Sequence, residues 1–178
     1  MTDFEKALKF VLEHETEFTK GHHGDMKFAV SENVSGDAGG LTKFGIDQRS
    51  HPYLDIENLT LEHASEIYRK DYWEKHKCSE LPWPVNAVHF DNCVNMGPSQ
   101  AVKLLQRTVG THDDGIMGPH TKVALMAACK VRSPDVVALQ ICSQKEDFYV
   151  RLVEQKPELG KFKQGWLNRA NDLKESIV

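Results

Sequence analysis

The chain has 178 residues, of which 40% are hydrophobic and 27% charged, with a formal net charge of −4. That balance fits a soluble globular chain large enough for one domain with a real core, with room for two lobes. No Lys/Arg run exceeds two residues and no apolar run approaches the roughly 18–20 residues of a membrane span, which argues against a nucleic-acid partner and against membrane insertion.

The chain opens on "MTDFEKALKFVLEHE", amphipathic and charged, with neither an apolar h-region nor a small-residue cleavage site, so no signal peptide is expected. Thr2-Asp3-Phe4-Glu5 has the form of a capping box, and Phe4, Ala7, Leu8 and Val11 recur at helical spacing, which predicts a first helix over 3–14. Glycines at 21, 24, 36, 39 and 40 then punctuate "MKFAVSENV", and a small β-hairpin or sheet is expected at about 19–46. Everything after it reads as helical. Thr60 caps "LEHASEIYRKDYWEKH", Pro84 opens "PVNAVHFDNCVNM", and Gly97-Pro98 separates that helix from "SQAVKLLQRTV". "THDDGIMGPH" is a turn-rich link before the short helix "TKVALMAAC". Ser133-Pro134-Asp135 starts a long helix to about 154, and "FKQGWLNRANDLKES" forms the last one. The fold class is α+β, one domain over 1–178, with a lobe at 1–80 that carries the β element and a helical lobe at 81–178.

Four scattered cysteines, Cys78, Cys93, Cys129 and Cys142, form no CxxC pair, and no ligand spacing joins them to the nine histidines. Free thiols from a reducing compartment are expected, with no metal and no organic cofactor.

Three carboxylates, Glu13, Glu15 and Glu17, crowd the end of the first helix. The negative end of the helix macrodipole disfavours an ionised carboxyl there, which suits a general acid. From spacing alone, three solvated surface charges ending an amphipathic helix are the plainer reading. Glu15 stands apart because it is the i+4 neighbour of Val11 and continues the apolar stripe, where a carboxylate is costly unless it lines a cleft or is paired. In "SGDAGGLTKFGI", Asp37 and Thr42 bring a carboxylate and a hydroxyl into one short turn, a pair fit to position a water or, in the plainer reading, an Asx-turn. Asp91 and Asn95, four apart on one helix face, suit hydrogen bonds to saccharide hydroxyl or N-acetyl groups, or else tie the helix end at Gly97-Pro98. Phe44, Tyr72, Trp73 and Trp83 are candidates for stacking on sugar faces, although most aromatic residues in a domain of this size are core.

In order along the chain, "FVLEHE", "DAGGLTKFGI", "IYRKDYW", "LPWPVNAVHFDNCVNMGPSQAVKLLQRTVG", "DGIMGPHT" and "FKQGW" resemble the muramidases of glycoside hydrolase family 108, which include phage endolysins. The resemblance covers nearly the whole chain and extends to a C-terminal region associated with peptidoglycan binding. It implies a lysozyme-like fold and hydrolysis of the β-1,4 bond between N-acetylmuramic acid and N-acetylglucosamine. The family's catalytic glutamate falls on Glu15, and its Asp-x-Gly-Gly-x-Thr turn on Asp37 through Thr42. Asp91, Asn95 and Phe44 become candidates for contact with substrate. Two departures stand out: Thr16-Glu17-Phe18 replaces the family's Gly-Gly-Tyr, and the stretch between Glu15 and Asp37 is longer than in the family. The expected partner is the peptidoglycan glycan strand, and the expected form is a monomer. An endolysin would wait in the host cytoplasm and act on the wall at lysis. The rival readings are a wall-binding or tail-associated module that has lost activity, and an enzyme of the same fold acting on chitin or chitosan.

Overall fold

The computed structural model describes residues 1–15 and 41–177. Helix α1 spans Asp3–Glu15, and its start is a reciprocal capping box. The Thr2 amide donates to Glu5 Oε2 at 2.7 Å, and the Glu5 amide to Thr2 Oγ1 at 3.3 Å. After residue 41 comes a minimal antiparallel hairpin, β1 (Thr42–Lys43) paired with β2 (Ile46–Asp47), in a register that sets Thr42 opposite Asp47. The residues expected to carry the rest of the β element, and with them Glu17, His22, His23 and Asp37, lie outside the described residues.

Helix α2 (Leu61–Tyr68) is capped by Thr60, whose hydroxyl accepts from the His63 amide, and it widens into a π-helical segment over Arg69–Glu74. A 3₁₀ turn at Cys78–Glu80 leads to α3 (Val85–Met96), then α4 (Pro98–Val109), α5 (Pro119–Arg132) and α6 (Pro134–Gln155). A 3₁₀ segment at Pro157–Phe162 precedes α7 (Lys163–Ser176), which begins one residue after the start expected for the last helix. Helix α5 runs longer than the short helix its apolar core suggests, because Pro119 supplies a first turn and Ser133, at φ +73°, ends it.

Two hydrophobic clusters build the body. One joins Phe4, Leu8, Val11 and Leu12 of α1 to the hairpin's Phe44 and Ile46, to Tyr68 and Trp73, and to Phe90 of α3. The other joins Phe10 of α1 and Val85 and Val88 of α3 to Leu104, Leu125, Ile141 and Leu173 on the later helices. Helices α1 and α3 therefore give one face to each core. Helix α3 is buried almost all round, with Asn86, His89, Asp91 and Asn92 among its buried residues. The four cysteines are free and buried. Among the described residues, no helix is long and apolar enough to cross a membrane.

Candidate active site

Glu15 is the last residue of α1, placed where the helix leaves the core, with its side chain one-quarter exposed. The hairpin turn lies directly on it. A Cβ built on Gly45 would come within 2.7 Å of Glu15 Cβ and 2.6 Å of the Tyr68 hydroxyl, so only glycine fits, and its φ of +74° also requires one. Tyr68, buried beneath the turn, donates its hydroxyl to the Phe44 carbonyl at 3.0 Å. This contact clamps the turn against Glu15, and Thr42 lies on β1 of the same hairpin. Phe44 is buried at 6% exposure, with φ +53°, so its ring is a plug under the turn and not an open stacking face.

Behind Glu15 lies a buried charge network that the sequence did not reveal. Arg169 on α7 donates from Nη1 to Glu15 Oε1 at 2.6 Å. Its Nε and Nη2 both donate to Asp91 Oδ1, at 2.9 and 2.8 Å. Lys145 on α6, wholly buried, donates to Asp91 Oδ2 at 2.6 Å. Two carboxylates thus meet two cations across four helices, the arrangement that makes buried charge tolerable. Burial works to raise the Asp91 carboxyl, but the adjoining charges of Lys145 and Arg169 outweigh it and hold that group below the ordinary carboxylate range. Burial likewise opposes the Arg169 charge, and Asp91 and Glu15 more than restore it.

Asp91 therefore stands behind Glu15 with both oxygens occupied, at 1% exposure. Asn95, one turn further along α3, is half-buried and accepts the Tyr149 hydroxyl with its side-chain oxygen. Tyr68, Tyr72 and Tyr149 all feel the Glu15 carboxylate: burial first and that negative charge second raise the Tyr68 and Tyr72 phenols, and burial and Asp91 do most of the same for Tyr149. Glu13 points away, within 4.0 Å of Lys9 on the exposed face. Trp73 is core, and Trp83 is half-buried with the Lys6 ammonium 4.9 Å from its ring centroid. Arg169 and Lys145 escaped the sequence reading because each sits in an ordinary polar–apolar helix pattern. The available signal was a cation falling on the buried stripe of α6, between Ile141, Cys142 and Tyr149.

The "THDDGIMGPH" link is a loop organised on one side chain. Gln106 of α4, buried at 1%, donates from Nε2 to Asp114 Oδ1, Thr121 Oγ1 and the Ile116 carbonyl, and accepts from the Gly115 amide.

Residues 8–97 match the family Glycosyl hydrolase 108. The chain belongs to glycosyl hydrolase family 108. Residues 100–171 match a second family, described as a predicted peptidoglycan domain, so this family 108 chain is a glycoside hydrolase that carries a peptidoglycan-related region. Among solved structures it is similar to that of Brucella abortus SagA, with a TM-score of 0.71 and 25% identity over 97% of this chain and 91% of the other. The lysozyme-like α+β fold holds over that span, seven helices and one small antiparallel sheet among the described residues. No curated protein matches the chain.

Proposed function

We propose that this family 108 hydrolase is an N-acetylmuramidase with Glu15 as its general acid. The observation that carries the reading is the setting of Glu15: a carboxyl at a helix end, partly open, with the hairpin turn packed on its stem and one oxygen held by Arg169. Arg169 fixes Oε1 whether the group is ionised or protonated, because a guanidinium donates equally well to a carboxylate or to the carbonyl oxygen of a carboxylic acid. Oε2 is left to carry the proton and deliver it to the leaving glycosidic oxygen as the C–O bond breaks. Asp37 and Thr42 then hold the water that attacks the oxocarbenium-like carbon from the opposite face, inverting the configuration. Proton NMR of the first-formed product anomer checks that step, since retention would make Asp37 the nucleophile.

The substrate is the peptidoglycan glycan strand, cut between N-acetylmuramic acid and N-acetylglucosamine. The family match and the peptidoglycan-related region at 100–171 support it over chitin. The biological role that suits this activity is that of an endolysin acting on the wall at host lysis, by a monomer without a cofactor. The deciding experiment is clearing of purified peptidoglycan by the wild type and by Glu15→Gln, with mass spectrometry of the soluble products. Reducing N-acetylmuramic ends from the wild type, and a rate at least about 100-fold lower in the variant, are expected. Clearing that survives the substitution would move the acid away from Glu15, and absence of clearing by the wild type would leave a wall-binding module.

A further inference from the structure

The charge network has a second layer beside it. One turn along α3 from Asp91 stands Asn95, one turn along α6 from Lys145 stands Tyr149, and one turn back along α7 from Arg169 stands Trp166. These three are also in contact, with Tyr149 touching both of the others. Tyr149 donates its hydroxyl to Asn95, and its ring stacks on Trp166 with centroids 4.8 Å apart and planes 18° from parallel. Phe162 lies tilted against Trp166, with centroids 5.7 Å apart and planes at 31°. The first layer is sealed. The second opens outward, from buried Tyr149 through half-buried Asn95 and Trp166 to Phe162 at 47% exposure.

A turn of helix is about 5 Å, close to the width of a pyranose ring, and the Arg169 end of this ladder grips Glu15 itself. We propose that Asn95, Trp166 and Phe162 form a saccharide subsite flanking the acid, where an N-acetylated sugar next to the scissile bond lays its apolar face against the aromatic ledge. Tyr149 engages the Asn95 oxygen, which turns the Asn95 amide nitrogen into the donor for the sugar's acetamido carbonyl. Aromatic surface with a few placed polar groups is the usual composition of a small-ligand site. Lys161, whose ammonium lies 4.8 Å from the Phe162 centroid, is an exposed side chain that swings off the ring when sugar arrives. The subsite rests on the muramidase reading and specifies where its substrate sits.

The test is calorimetric titration of a soluble N-acetylglucosamine–N-acetylmuramic acid tetrasaccharide into the full chain carrying Glu15→Gln, which binds without turnover. Adding Phe162→Ala or Trp166→Leu should weaken binding about 5- to 10-fold, and in the Glu15 enzyme each should raise KM for that tetrasaccharide while leaving kcat nearly unchanged, the signature of lost ground-state binding. Phe162→Ala decides alone if Trp166→Leu fails to fold, because its ring is at the surface. A tetrasaccharide that is cleaved by the wild type but bound equally by the Phe162→Ala protein overturns the subsite and spares the muramidase. A tetrasaccharide that is neither bound nor cleaved overturns both.

Discussion

At the scale of single residues, the functional interest of Glu15 lies in what it leans on. Arg169 is shared between two carboxylates, and its bond to Glu15 is made from a nitrogen left over after two others have gone to Asp91. Arg169→Lys keeps the charge and loses the fork, so one of the two carboxylates loses its partner; kcat on peptidoglycan should fall about 10-fold or more with KM nearly unchanged. Asp91→Asn leaves Lys145 buried without a counter-ion and should cost about 3–5 kcal/mol in chemical denaturation. Because the Asp91 carboxyl is held below its unfolded value, its contribution to stability is fully present above about pH 4 and is lost as pH falls through the lower, folded value. Thermal melts between about pH 7 and pH 3 should show a steep acid limb in the wild type and a shallower one, from a lower start, in Asp91→Asn.

At the scale of elements, the hairpin pairs four residues among those described, too few to hold itself together. It is fixed by the Tyr68 hydroxyl and by the contact of its glycine with Glu15. Gly45→Ala should therefore destabilise the fold by about 2 kcal/mol or more, since the new methyl meets both neighbours at a positive φ, and it should cut activity further by pushing on the acid's stem. Thermal melts and a clearing assay on the same preparation separate the two effects. The link between α4 and α5 depends in the same way on Gln106. Gln106→Leu keeps the volume and removes the four hydrogen bonds this side chain makes to the turn, which should cost about 2–4 kcal/mol in urea unfolding with little change in kcat.

At the scale of the whole molecule, the two family matches meet between residues 97 and 100, but the physical structure does not divide there. The second core takes Phe10, Leu81, Val85 and Val88 from the first region, and the acid in the first region is held by Arg169 from the second. We read the chain as one domain in which the C-terminal helices are half of the catalytic body. A fragment of residues 1–97 would expose those apolar side chains and leave Asp91 without Lys145 and Arg169. It should lack cooperative thermal unfolding and clear no peptidoglycan, and a folded, active fragment would refute the single-domain reading.

The helices were legible in the sequence because their signals are local. Capping by Thr2 and Thr60, proline at helix starts and apolar periodicity act within a turn or two of chain, and α1, α3, α4 and α6 follow them closely. The same local logic singled out Glu15, a carboxylate on an apolar stripe that has to be paired or line a cleft. Its partner was not legible, because Arg169 lies 154 residues away and the pair is formed only when α7 crosses α1. Asp91 and Asn95 share a helix face as their spacing requires, but whether that face meets solvent or the cations of α6 and α7 is decided by helix packing. Local signals in the sequence were enough to lay out the helices and to single out Glu15, whereas the charges that close around Glu15 come from helices distant in the chain and are set only by tertiary packing.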